Sequence, residues 1–283
     1  MSAKPTKAPA KKSAVKKAIT KKAAKKAAKA PIKRASQKTV AKNVAVKPIS
    51  ATRPVKPSEP TTGHGVAKLN TKPDRVAEIL KILHETYPSV ECALVHANPF
   101  QLLVATILSA QCTDVRVNMV TPKLFETYPT PAAMATAPIE ALEALIRTTG
   151  FYHNKAKSIQ GAGRVISQDF HNEVPQTMAE LLTVPGAARK TASVVLGVAY
   201  GKAEGVVVDT HVYRLSRRLG LSRSETAANV EQDLMKVIPK DRWIQFSHEL
   251  IHHGRMICEA RKPKCAACPL EQLCQAPDKT WHS

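Results

Sequence analysis

Four cysteines near the C-terminus, Cys258-x6-Cys265-x2-Cys268-x5-Cys274, set the tightest limit on how this chain can fold. Four thiolates within seventeen residues can close round one centre. The only other cysteines, Cys92 and Cys112, read as small core residues. Four crowded thiols in a basic chain argue for a reduced compartment and a bound metal, not a disulfide scaffold. A structural zinc usually takes two short Cys-x-x-Cys pairs, and these unequal spacings depart from that habit.

The remaining periodicity is helical. Thr71-Lys-Pro-Asp reads as a capped helix start with an early proline, followed by Val76, Ile79, Leu80 and Leu83 at helical spacing. Asn98-Pro99 opens a largely buried helix through Ala110, and Val115–Tyr128 predicts another. Ile139, Leu142, Leu145 and Ile146 mark a helix ended by Gly150; Lys155–Phe170 and Thr177–Leu182 follow. A later helix, expected over 242–258, carries Trp243, Ile244 and Leu250 as core. Its His248 and His252 lack the His-Glu-x-x-His pattern and read as a packed or solvated face. The one run suggesting a strand, Val206–Val208, is too short to found a sheet, so the expected fold is all-α.

One stretch departs from plain packing. Pro185-Gly186 turns sharply between Thr177–Leu182 and a small-residue helix that begins near Arg189. A helix, tight turn and second helix form an anion-binding device, because the glycine admits close approach and the new helix start offers N–H groups. Lys190 lies in that first turn, where an ammonium is disfavoured and the neutral, nucleophilic amine gains. Asp209 stands at the N-cap position of a helix over Thr210–Leu219, where a carboxylate is favoured. An amine and a persistent carboxylate suit attack on an electron-poor carbon.

Together, Leu182–Ala192, Val208–Arg214 and the cysteine spacing resemble the endonuclease III family, helix-hairpin-helix DNA glycosylases with an associated strand-cleaving lyase activity. The resemblance covers about Leu69 to Cys274. It implies a two-lobed all-α fold: a six-helix barrel over 90–201, and a second lobe joining 69–89 to 202–283. The implied activity is removal of oxidised pyrimidines from double-stranded DNA in base excision repair, followed by cleavage at the abasic site. Lys190 would attack C1′ with help from Asp209, and the four cysteines would hold a [4Fe–4S] cluster. Gln111, otherwise a simple helix end, matches the residue that enters the gap left by a flipped base. Phe151, by default a core aromatic, matches the intercalating wedge. Gly186, Ala188, Arg189 and the loop Arg261-Lys-Pro-Lys264 match DNA contacts. The family hairpin usually reads Pro-Gly-Val-Gly-Arg-Lys; Ala188 replaces its second glycine, at about 1 kcal/mol if φ there is positive.

Charge divides the chain differently. Residues 1–68 hold 19 Lys and Arg against the single acid Glu59, whereas the rest is nearly balanced, with 24 against 21. This segment lacks aromatic residues and is expected to be disordered, a non-specific DNA arm acting through counterion release. A solubilising tail or targeting peptide is the plainer reading; a mitochondrial one usually favours Arg over Lys. Neither a signal core nor a membrane-length apolar run is seen, so a monomer in the bacterial cytoplasm, at the nucleoid, is expected, or the nucleus or mitochondrion for a eukaryotic chain. Two alternatives stay open: a monofunctional adenine-type glycosylase that activates water, and a non-catalytic nucleoid DNA-binding protein.

Overall fold

Proline begins three of the helices, where its missing N–H is one of the first-turn donors that have no intrahelical partner anyway. The structure, a computed structural model, describes residues 66–281. In chain order it contains α1 (Pro73–Thr86), α2 (Pro99–Leu108), α3 (Asp114–Thr127), α4 (Pro131–Thr136), α5 (Ile139–Ile146) and α6 (Tyr152–Asp169). There follow α7 (Met178–Leu181), α8 (Arg189–Tyr200), α9 (Thr210–Arg218), α10 (Ala227–Val237) and α11 (Trp243–Met256). Side-chain caps set several starts: Asn98, Thr113, Thr130, Thr177 and Thr226 each accept from an N–H three residues on. The expected cap of α1 is absent. Its N-cap residue is Lys72, which makes no side-chain cap bond, so Pro73 and Asp74 alone shape that end.

No strand occurs among the described residues, and the fold is all-α as expected. Val206 and Val208 are buried in the irregular connection between α8 and α9, where the Val207 N–H donates to Ser247 Oγ at 3.1 Å. None of the described helices is long and apolar enough to cross a membrane.

Buried apolar side chains fall into two clusters. One runs from Leu94 to Leu196 and is built by α2–α8, with α6 against α4 and α2 against α8. The other combines Val76, Ile79, Leu80 and Leu83 of α1 and the following Tyr87 with residues from Val206 to Leu270, chiefly from α9, α10 and α11.

The expected disordered tail lies outside the described residues except for its last three, and there the boundary needs correction. Ala67 is buried, and its N–H donates to Arg217 O at 3.0 Å. The Lys68 carbonyl runs so close to Gly220 that an added Cβ would lie 2.3 Å from it, and Gly220 has φ +67°. Residues 66–68 therefore belong to the second cluster's surface.

Candidate active site

The turn between α7 and α8 depends on one glycine. Gly186 has φ +83°, and a Cβ there would stand 3.0 Å from Ser158 Cβ and 3.2 Å from Ile107 Cδ1. Both the left-handed backbone and the close approach to α6 and α2 require glycine. Ala187 is buried, and its N–H closes the turn on Val184 O at 3.0 Å. Ala188 has φ −66° and is the N-cap residue of α8, an ordinary conformation for alanine. The departure from Gly-Val-Gly therefore carries no backbone penalty. Arg189 pairs with Glu231 of α10 at 2.9 Å, which ties α8 to α10 and raises the guanidinium's proton affinity. Lys190 is exposed in the first turn of α8.

Asp209 caps α9 as its sequence position requires, with Oδ1 accepting from His211 N and Val212 N at 2.8 Å each. Oδ2 takes no part in the cap. Lys190 and Asp209, nineteen residues apart, line the same cavity of about 160 Å³. Its walls come from both clusters: Ser109 and Asp114 from the α2–α3 side, His248, His252 and Arg255 from α11. An ion pair between Asp114 and Arg255 joins these two walls. Burial holds both His248 and His252 below the usual imidazole range, so they favour the neutral ring.

Gln111 and Phe151 share an unusual backbone. They are two of four non-glycine residues with positive φ among the described residues, at +52° and +49°. Both are exposed, and Phe151 keeps 64% of its surface. The default reading of Phe151 as a core aromatic is thus overturned. As N-cap of α6 in the left-handed region, its side chain is held out of the core that its neighbours fill. Left-handed backbone is strained for an aromatic residue, and such strain concentrates at functional positions.

The four C-terminal cysteines line a second, smaller cavity of about 30 Å³, together with Arg218, Lys264 and Lys279. Arg218 Nη1 donates to Cys258 Sγ at 3.3 Å, Thr280 N to Cys265 Sγ at 3.3 Å, and His253 Nε2 lies 3.4 Å from Cys268 Sγ. Burial pushes the Cys258 and Cys274 thiols up and Cys268 to about 12. A positive centre bound among them would favour their thiolates. No three Cys, His, Asp or Glu side chains among the described residues meet closely enough to hold a single metal ion. In the adjoining loop Lys264 donates to Met256 O at 3.1 Å and pairs with Glu259 at 3.2 Å, while Arg261 is exposed.

Known proteins share this fold. Residues 104–240 match the model of the HhH-GPD superfamily base excision DNA repair proteins. Endonuclease III of Synechocystis is 56% identical over 207 residues, covering 73% of this chain and 94% of that protein. The chain belongs to the endonuclease III family. The Escherichia coli K12 enzyme is 41% identical over 202 residues, 71% of this chain and 95% of its own length. Two solved structures at 44% identity each superpose with a TM-score of 0.69 over 72% of this chain. One is a non-covalent endonuclease III–DNA complex and covers 95% of that chain; the other is a trapped endonuclease III–DNA covalent intermediate and covers 96%.

For a member of the endonuclease III family, the residues that sequence reasoning missed are the cavity walls. His248 and His252 were a packed or solvated face by spacing alone, yet both line the cavity with Lys190. Asp114 had one available signal, its place as a first-turn acid beside Thr113. Arg255 had none, since its partner lies 141 residues away.

Proposed function

We propose that this chain is a bifunctional DNA glycosylase and abasic-site lyase of base excision repair, acting as a monomer on oxidised pyrimidines in double-stranded DNA. The observation that carries the reading is the placing of Lys190 and Asp209 on one cavity between the two clusters. A base extruded from the duplex needs such a concave site, and the reaction needs an amine and a carboxylate within it. In the proposed reaction the Nζ lone pair of Lys190 bonds to C1′ as the bond from C1′ to the base breaks. The base leaves with that electron pair and takes up a proton. The nitrogen gives up one proton, the C1′–O4′ bond opens with O4′ taking up a proton, and a protonated Schiff base remains. Removal of a C2′ proton then sends electrons toward that iminium and expels the 3′ phosphate, which leaves with the C3′–O pair, cutting the strand 3′ to the lesion. The Asp209 carboxylate steadies the positive charge that develops at the sugar.

A structural neighbour was captured as a covalent intermediate with DNA, and Lys190 supplies an amine able to form such a link. Gln111 and Phe151, exposed on left-handed turns, suit insertion into the stack opposite and beside an extruded base. The hairpin N–H groups around Gly186 and Ala188, with Arg189, Arg261 and Lys264, suit phosphate contacts.

Cys258, Cys265, Cys268 and Cys274 would hold a [4Fe–4S] cluster. The four side chains line one cavity, and four cysteine thiolates are the ordinary ligand set of such a cluster. Bound there, such a group supplies iron–thiolate cross-links that tie the C-terminal loop together.

Borohydride trapping on a duplex carrying an abasic site tests the reading. The native protein should form a covalent adduct, and Lys190→Ala should lose it, with strand cleavage falling by roughly 10³-fold or more. A folded native protein that gives no adduct points instead to a water-activating glycosylase or a DNA-binding protein without catalysis.

A further inference from the structure

Lys155 is the one lysine among the buried residues of the described chain, with 6% of its surface exposed. It lies in the second turn of α6, and its Nζ donates at 2.8 Å to Leu108 O and at 2.8 Å to Thr149 O. These two carbonyls sit at special places. Leu108 is the last residue of α2, and Gln111 follows three residues later. Thr149 ends the 3-10 turn Arg147–Thr149, and Phe151 follows two residues later. The Lys155 backbone N–H also donates to Phe151 O at 3.1 Å. A single residue therefore grips the bases of both exposed left-handed tips.

We infer that Lys155 is a positioning residue that sets the spacing between Gln111 and Phe151, and so the efficiency with which a damaged base is extruded. The inference rests on the reading of those two residues as the groups that enter the stack. Physically, the ammonium is poor core material. Burial lowers its proton affinity, and an unbranched apolar side chain would fill the same space without desolvating a charge. What the ammonium adds is direction. It satisfies the C-terminal carbonyl of α2, whose helix end favours a cation, and the same nitrogen binds the other turn. Apolar contacts cannot set such a distance, because they are non-directional. Gln111 and Phe151 lie 40 residues apart in sequence, and in the contacts described here it is the Lys155 side chain that joins the main chain leading to each.

The step that depends on this spacing is opening the duplex, not the chemistry at C1′. The experiment compares Lys155→Met and Lys155→Arg with the native holoprotein in two assays. One is single-turnover excision of thymine glycol from a duplex; the other is cleavage of an abasic site already present in a single-stranded oligonucleotide, which has no stack to open. Lys155→Met is expected to slow duplex excision by about tenfold to a hundredfold, the usual effect of a misplacement of about 1 Å. Single-strand cleavage should stay within about twofold, and Lys155→Arg, which keeps a cation with several donors, should recover most of the excision rate. Adding Lys155→Met to a Gln111→Ala/Phe151→Ala background should change excision little further. Equal loss in both assays, or unchanged duplex excision, overturns the inference. Should melting show that Lys155→Met is unfolded, Lys155→Gln, neutral but still a donor, reads the same ratio and is expected to fall between native and Met. A native protein inert on both substrates would instead overturn the glycosylase and lyase reading.

Discussion

The two halves of this molecule are held together by different physics. The cluster from Leu94 to Leu196 is built from one uninterrupted stretch, and its helices meet mainly through apolar faces. The other cluster recruits α1 from before that stretch and α9–α11 from after it. Its distant joints are fastened by arginines. Arg75 donates to Asn70 O and Leu219 O at 2.6 Å, and to Leu273 O, 198 residues away. Arg214 reaches Gly254 O and Cys258 O at 3.1 and 2.8 Å. Arg218 binds Glu259 O, Ala260 O and Asp278 as well as the Cys258 sulfur. Segments that must close long loops gain from contacts with direction, and a guanidinium fork supplies several at fixed angles. The lesson is that continuous chain can rely on non-directional burial, whereas discontinuous chain needs its register specified. The first half has a few such joints of its own, from Gln160 to Ala137 O and from Tyr200 to Val174 O, and the pair made by Lys155 is buried.

Removing the Arg218 hub should have the largest effect on stability. Arg218→Ala strands Asp278 and three main-chain or sulfur partners, and should destabilise the fold by about 3–5 kcal/mol while lowering iron bound per chain. Leu142→Ala, in the first half, should cost a comparable 2–5 kcal/mol or so through its cavity, yet leave iron content unchanged. Denaturant melts with iron analysis distinguish the two; loss of iron in both would erase the contrast between the halves.

A smaller effect is expected at the hairpin, where two neighbouring positions should behave oppositely. Gly186→Ala meets both a positive φ and the Ser158 side chain, and should cost about 1–2 kcal/mol and weaken DNA binding. Ala188→Gly restores the common family residue but should bring no gain. At φ −66° it adds only backbone freedom to the unfolded chain, a loss of up to about 1 kcal/mol. Tighter DNA binding by Ala188→Gly would show that the hairpin changes shape on DNA.

The smallest expected effect concerns acid. Burial holds His248 below its ordinary value despite the nearby Glu91, and does the same for His252. A depressed histidine contributes stability that is present above about pH 6.5 and lost as pH falls through the folded value. Melting temperature should therefore drop as pH falls below about 6.5, and His248→Gln should lessen that drop. An unchanged slope would place the acid-sensitive groups outside the α11 wall.

Much of this was legible in the sequence because it depends on near neighbours. The N-cap carboxylate of Asp209, the proline starts of α1 and α2, and the glycine turn at Gly186 are all decided within a few residues. So is the place of Lys190 in the first turn of α8. The direction of Phe151 was not, because an aromatic after Gly150 can face either way until the backbone handedness is known. Nor could the pairing of Arg189 with Glu231 be foreseen, since the two lie 42 residues apart.

By itself, then, the sequence determined most of the helices, the cysteine set and Lys190 and Asp209 as the candidate pair, since these follow from local hydrogen bonding, periodicity and side-chain chemistry; α4, α10 and the uncapped start of α1 came only with the structure. Tertiary structure alone decided that α11 lends His248, His252 and Arg255 to the Lys190 cavity. It also decided that Asp114 meets Arg255 across that cavity, and that Lys155 binds the two tips. Two of those pairings join residues 47 and 141 positions apart, and no local pattern in the chain specifies them.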